Sequence, residues 1–270
     1  MAFDFLAEET ETLDNKLQLL IAGPSGAGKS HLIGTYPGKV LYLTAGAEIH
    51  GVSAARKPGT GLVGVTIDRD KNGALSPDAA IARFDAATDP ESIKAQGFKL
   101  VALDGLTELE KLVRGTTQWK RMCETRGGGH NNFAESSSTQ TIMDRCLQRL
   151  RNLQFDLGID IAVTCILDVT ETNRKTGEIE AAKPRLMGYS VAEAAIQQFG
   201  DIIVIGQMFK ADGTSGRVIQ MLTDLARVSV DENKEVKKIF GITPRLQGVA
   251  NVPPYIKADL KTILELKGRV

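Results

Sequence analysis

The sequence predicts an α/β protein: a mostly parallel central sheet flanked by helices, with an antiparallel hairpin added on its C-terminal side. Three observations predict it. Short unbroken apolar runs recur along the chain, helical patterns fill the intervals between the first four, and the texture turns to a hairpin near Val204. Strands buried on both faces read as continuous apolar runs, and strands alternating with helices close into right-handed crossovers.

Residues 17–22 (LQLLIA) form the first strand and run into glycine. Residues 40–44 (VLYLT), 100–103 (LVAL), 159–167 (IDIAVTCIL) and 201–205 (DIIVI) follow as further strands. An Ala-rich stretch over 76–95 opens on Ser76-Pro77, a cap followed by proline at the first helical position, and predicts a helix. Over 139–157, Ile142, Cys146, Leu150, Leu153 and Leu157 recur at three- and four-residue steps, which gives a second helix one apolar face. IVIGQMF, the turn Ala211-Asp212-Gly213-Thr214 and RVIQMLT predict a hairpin at the sheet edge. A last helix is expected over 255–266, after Pro253-Pro254. Residues 126–138 (RGGGHNNFAESSS) and 170–186 (TETNRKTGEIEAAKPRL) fit no element. Long loops in a compact α/β domain are functional or disordered, and both follow sheet elements, which places them at the carboxyl-end side where such folds bind ligands.

The chain has 270 residues, 33 basic and 33 acidic, with 42% apolar and 24% charged side chains, an ordinary globular mix. Cys123, Cys146 and Cys165 are far apart and form no CxxC, so neither a disulfide framework nor a zinc site is expected, and a reducing cytoplasm is the default. The apolar runs fall far short of the roughly 20 residues that span a bilayer, so no membrane partner is expected. The N-terminal segment is acidic and lacks the basic and apolar regions of a secretory signal.

Gly23-Pro24-Ser25-Gly26-Ala27-Gly28-Lys29-Ser30 matches G-x-x-x-x-G-K-[ST] between a predicted strand and a predicted helix. Glycines let successive backbone N–H groups turn inward as an anion nest, and the following helix adds its positive end. Lys29 is expected to reach the β- and γ-phosphates as a catalytic cation, Ser30 to ligate Mg²⁺, and His31 to complete the nucleotide-binding set. A chance glycine-rich turn would not bring the whole motif into register with both flanking elements. Residues 99–104 (KLVALD) read as the partner strand, whose aspartate, Asp104, joins the magnesium shell; capping a helix is its other reading. The residue after Asp104 is Gly105, so the base that orients water is sought elsewhere. Glu48, in VLYLTAGAEIHG, is the candidate, at the carboxyl edge of a strand expected beside the phosphate loop; a solvated loop glutamate is the alternative.

A phosphate loop, a glutamate after the next strand and an aspartate strand with no following acid together resemble the RecA-type ATPase core. Residues 100–109 (LVALDGLTEL) are similar to the RecA and phage-ATPase pattern, with Gly105 in place of the usual serine. The resemblance extends over about residues 15–230 and points to compact phage-encoded RecA-core proteins that assist single-strand annealing and recombination. It implies a RecA-like core over 16–230, between an acidic arm (1–15) and a C-terminal extension with a terminal helix (231–270). It further implies ATP and Mg²⁺, DNA-stimulated hydrolysis, single-stranded DNA, a homo-oligomeric ring or filament, a single-strand-binding or annealing partner, and the host cytoplasm if phage-encoded.

By the same resemblance, residues 114–138 correspond to a first DNA loop. Arg114, Lys120, Arg121 and Arg126 supply cations, with Trp119, His130 and Phe133 as planar groups. Residues 170–186 correspond to a second, with Arg174, Lys175, Lys183 and Arg185. Mobile solvated surface is the alternative for each. Where RecA-type cores end the fourth strand with a polar pair that senses the γ-phosphate, this chain has Thr164-Cys165, so Thr164 is the candidate sensor. Arg217, Arg227, Lys234, Lys237 and Lys238 fall in a region from which RecA filaments offer cations to a neighbour; solubilising surface charge is the other reading. A competing function is an ATP-gated assembly or regulatory module with little turnover and no DNA. A small-molecule kinase would need an arginine-rich lid, for which no segment is dense enough.

The formal net charge is zero, which excludes a protein that holds a polyanion by global attraction. Asp4, Glu8, Glu9, Glu11 and Asp14 put five negatives in the arm, so the remainder is net positive by five. A local basic site is therefore compatible with overall balance.

Overall fold

The computed structural model describes residues 16–46, 49–56, 61–172, 179–187, 189–209, 215–220, 229–230, 236–237, 244–250, 252–253 and 255–269. The acidic arm, Glu48, Arg174, Lys175 and the 211–214 turn lie outside them.

The first half of the chain contains β1 (Gln18–Gly23), α1 (Lys29–Ile33), β2 (Val40–Thr44), α2 (Ile49–Ala55) and β3 (Leu62–Thr66). Then come α3 (Pro77–Ala87), α4 (Pro90–Gln96), β4 (Leu100–Asp104), α5 (Leu106–Gly115) and α6 (Thr117–Met122). The second half contains α7 (Ala134–Leu157), β5 (Asp160–Thr172), β6 (Ile179–Pro184) and α8 (Tyr189–Gln197). It ends with β7 (Asp201–Phe209), β8 (Ser215–Gln220), β9 (Tyr255–Lys257) and α9 (Leu260–Leu266). One nine-stranded sheet has the order β9-β8-β7-β1-β5-β4-β2-β3, with β6 on β5. Pairing is parallel from β7 to β3, whereas β8, β9 and β6 are added antiparallel. The expected architecture, including the hairpin on the C-terminal side, is present.

Alternation along each strand builds two cores. Leu20, Leu41, Leu43, Val101, Leu103 and Val163 face α3, α4, α5, α7 and α8. Leu19, Ile21, Val40, Tyr42, Leu100 and Ile203 face α1, α2 and α9. Each such aliphatic side chain removed from water contributes about 1.5–3 kcal/mol. Among the described helices none is long and apolar enough to cross a membrane.

Several local expectations are corrected. Residues 76–95 form two helices, because a second cap-proline pair interrupts the first: Asp89 accepts from the Ser92 N–H at 2.9 Å and Pro90 opens α4. The apolar helix begins at Ala134, five residues earlier than expected, and so takes the end of the 126–138 stretch. In residues 255–266, Tyr255–Lys257 pair with β8 before Asp259 caps α9. Much of 170–186 is strand: β5 continues to Thr172 and β6 returns along it. Finally, β2 is not beside β1; β5 and β4 lie between them. The long apolar run of β5 explains this, since it is covered on both faces and both edges and so takes a central place in the sheet.

The C-terminal end is fastened to the amino edge of the sheet by two ion pairs, one buried and one part-buried. Arg269 forms a two-pronged pair with Asp160 at 2.7 and 2.9 Å, and Lys267 lies 3.1 Å from both oxygens of Asp201. Asp160 also accepts from the Tyr36 hydroxyl at 2.7 Å, and burial together with this carboxylate raises the phenol's pKa.

Candidate functional site

The phosphate loop leaves β1 at Gly23, which sits where only glycine fits: a Cβ there would lie 2.7 Å from the Ile205 carbonyl oxygen of β7. Gly26 and Gly28 take φ of 77° and 98°, left-handed conformations that side chains rarely adopt. Pro24, Ser25 and Gly26 are exposed, whereas Ala27 and Lys29 are buried. Lys29 folds back over the loop, its Nζ donating to the carbonyls of Gly23 at 3.0 Å and Pro24 at 2.9 Å. The helix that follows spans only Lys29–Ile33, so its dipole adds little and the cradle rests on backbone N–H groups and Lys29. His31 is half-buried in that helix.

Asp104 ends β4 at 1% exposure and is the hub of the site. Its Oδ2 accepts from the Ser30 hydroxyl at 2.6 Å and from the Tyr42 hydroxyl. Its Oδ1 accepts from the Thr164 hydroxyl at 2.5 Å, whose oxygen in turn accepts from the Gly105 N–H at 2.9 Å. Thr164 therefore commits its hydroxyl to holding Asp104 and the turn after it. Cys165, next on β5, is buried, and burial pushes its thiol up to about 12 despite the nearby Lys29 charge, so it stays a neutral, small apolar group. From the other side α2 closes over the corner. A Cβ on Gly51 would fall 2.6 Å from both Asp104 Oδ2 and the Tyr42 oxygen and 2.9 Å from Ser30 Oγ.

Tyr42 and Gly51 were not among the expected site residues. A tyrosine inside an apolar strand needs a partner for its hydroxyl when buried, and that was the available signal for Tyr42. Glu48 lies in the segment between Gly46, whose N–H donates to Asp68 at 2.8 Å, and Gly51 at the Asp104 corner. Ser30 and Asp104 offer hard oxygen donors that fit Mg²⁺. Among the described residues no cluster of three His, Cys, Asp or Glu exists.

The DNA-loop candidates separate into two groups. Trp119 is 7% exposed and donates to the Thr139 hydroxyl at 2.9 Å, so it cannot act as a stacking platform. Arg114 lies over its ring at 5.5 Å and pairs with Glu135 at 3.6 Å, while His130 contacts that ring and Glu135. These residues brace α6 against α7. Lys120, Arg121 and Arg126 are exposed, and Phe133, just before α7, is 98% exposed. A recess of about 350 Å³ lies between Lys120, Arg121, Glu124, Gly128 and His130. Lys183, on β6, is half-buried, and Arg185 pairs with Asp168 at 2.5 Å.

Both groups stand at the carboxyl edge. The 24-residue α7 is about 36 Å long and descends to the amino end of β5, which leaves Phe133 at the opposite end. β5 pairs with β1 only over 161–166, and its continuation runs past that edge paired with β6. The end of this ribbon is clamped to α5. The Thr107 hydroxyl donates to the Arg185 carbonyl at 2.9 Å, and Glu110 accepts from the Met187 N–H at 2.7 Å. Burial raises the Glu110 pKa.

A phosphate cradle on the first strand of a parallel sheet, with a buried aspartate two strands away, defines a RecA-like P-loop nucleoside triphosphatase. A family model described as an AAA domain matches residues 15–229, and the chain belongs to that family. No curated protein matches it. Among solved structures it is similar to a prototypical ATPase from the type III secretion system of pathogenic bacteria, at 18% identity and a TM-score of 0.44, over 70% of this chain and 51% of that one. It is also similar to the assembled type III secretion ATPase EscN of enteropathogenic E. coli, at 18% identity and a TM-score of 0.43, over 71% of this chain and 43% of that one. The chain thus spans about half of those proteins or less.

Proposed function

We propose that this protein hydrolyses ATP with Mg²⁺ and acts on single-stranded DNA in phage-type recombination, annealing or replication, as a homo-oligomeric ring or filament in the host cytoplasm. The observation that carries the reading is the placement of Lys120, Arg121, Arg126 and bare Phe133 at the same sheet edge as the phosphate cradle. Exposed cations for phosphates beside an exposed ring for stacking are the elements that hold a single strand without reading its sequence.

In this reading Lys29 and the loop N–H groups hold the β- and γ-phosphates, and Ser30 with Asp104 holds Mg²⁺. Held there, the ion would supply neutralisation of charge on the phosphates. Tyr42 and Thr164 fix the Asp104 carboxylate, so Thr164 acts as a positioning residue. Nucleotide state passes to the second DNA segment through α5, which starts beside Asp104 and holds residues 185–187 through Thr107 and Glu110. Glu48 orients the attacking water from the segment leading into α2. Glu48→Gln is expected to bind ATP normally and hydrolyse it about 100-fold more slowly. Unchanged turnover in that variant would remove Glu48 from the role.

The central test is ATP turnover and oligonucleotide anisotropy across a salt series. Single-stranded DNA should raise turnover. If Lys120, Arg121 and Arg126 each meet a phosphate, log affinity should fall against log salt with a slope near −2, at about −0.7 per contact. Phe133→Ala should weaken binding about 5- to 150-fold, the equivalent of ~1–3 kcal/mol of stacking, and leave that slope unchanged. ATP-dependent change in native mass with no response to DNA at low salt would replace the DNA role with that of an assembly module.

A further inference from the structure

On the opposite flank of the cradle from the Asp104 corner lies a cation that the reaction scheme leaves unused. β7 is the neighbour of β1 on that flank, and β8 follows it, with Arg217 paired across from Gln207. The Arg217 side chain is exposed, yet it lies down on the phosphate loop of its own chain. A Cβ on Gly28 would fall 2.6 Å from its Nε, 2.7 Å from its Cδ and 2.9 Å from its Cζ. Gly28 is thus glycine for two reasons, its φ of 98° and this approach.

The guanidinium lies beside the loop whose Lys29 ammonium donates to the Gly23 and Pro24 carbonyls. Among the described residues no carboxylate pairs with Arg217. A cation laid on a cradle of this sign is balanced when a polyphosphate arrives, and a guanidinium suits phosphate because its fork donates to two oxygens.

Which phosphate it meets follows from the two flanks. Ser30 and Asp104, which would hold Mg²⁺ against the terminal phosphates, lie toward β5 and β4. Arg217 comes from β8, at the other side of β1, against the C-terminal half of the loop. We propose that Arg217 is a nucleotide ligand supplied by the same chain, holding the α-phosphate end of a nucleoside triphosphate across the cradle from the magnesium corner. This rests on the reading that the loop binds nucleoside triphosphate. It departs from the resemblance-based expectation that cations of this region serve a neighbour.

The α-phosphate is shared by ATP and ADP and does not change in hydrolysis. Arg217 therefore contributes uniform binding, which moves KM and Kd but not kcat. In Arg217→Ala, Kd for Mg-ATP and for Mg-ADP should both rise about tenfold, with kcat within about twofold of wild type. Arg217→Gln, which keeps the planar head without the charge, should behave alike, and Arg217→Lys should recover part of the affinity. Titration calorimetry on dilute protein, with melting curves confirming that the variants fold, gives the values. An effect independent of protein concentration supports action within one chain. Equal Kd in wild type and both neutral variants overturns the proposal. A loss confined to ATP moves the contact to the γ-phosphate and overturns it. A fall in kcat that is rescued by mixing with Lys29→Ala protein shows action on a neighbour and also overturns it. Failure of the wild type to bind either nucleotide counts instead against the phosphate-loop reading.

Discussion

Lys29→Ala is expected to lower kcat/KM for ATP roughly 1000-fold or more while leaving the unliganded protein as stable as wild type. Removing a single preorganised donor from developing charge costs about 100- to 1000-fold in turnover, and here the same cation also binds the ground state. The structural cost should be small. Lys29 Nζ donates to the buried Gly23 carbonyl and to that of exposed Pro24, so truncation loses two bonds within the loop and none to another element of the fold. Thermal melting separates the two effects. Ligand present at 100 times its Kd stabilises the wild type by about 2.7 kcal/mol, and that gain should vanish in the variant. If Mg-ATP raises Tm equally in both proteins, Lys29 is not the phosphate cation.

The cradle was legible because it is local. Glycines, lysine and serine stand in one stretch, and each is required by backbone geometry or by phosphate chemistry at that place. Asp104 was legible for a related reason: a strand of four apolar residues ending in a carboxylate has few other uses. What surrounds them was not legible. Tyr42, Gly51 and Arg217 meet the cradle through strand order and crossover packing, and the one sign of that order, the long apolar run of β5, says that the strand is central but not which strands flank it. β3 was missed because LVGVT is short and broken by glycine. The first DNA segment shows the limit of composition in another way. Arg114, Trp119 and His130 suit nucleic acid by type, but α6 and α7 turn them into a brace, whereas Lys120, Arg121 and Phe133 in the same stretch remain outside it.

The C-terminal pair Lys267–Asp201 carries the largest expected effect on stability. Both side chains are almost fully buried, at 2% and 1% exposure. Asp201 also accepts the N–H groups of Gln18 at 3.1 Å and Gln247 at 2.8 Å, so it ties β1, β7 and the chain after Arg245 to the residue that follows α9. Even so, burial outweighs these partners and holds the Asp201 pKa above its ordinary value. Lys267→Met keeps the apolar volume of the stem but strands the carboxylate, and breaking a buried pair in this way costs about 3–5 kcal/mol. The sign of its pH dependence follows. An acid whose folded pKa is raised favours the folded state below its unfolded pKa, and that advantage is lost as pH rises through the folded value. With Lys267 gone the Asp201 pKa rises further, so the variant should be closer to wild type at pH 5 than at pH 7. Asp201→Asn combined with Lys267→Met removes both charges and should recover much of the loss, since the stranded charge and not the missing attraction dominates it. Urea midpoints of the four proteins at the two pH values measure this. A loss below about 1 kcal/mol in Lys267→Met, or one equal at pH 5 and pH 7, would mean that water reaches Asp201 and that the pair is not the fastening it resembles.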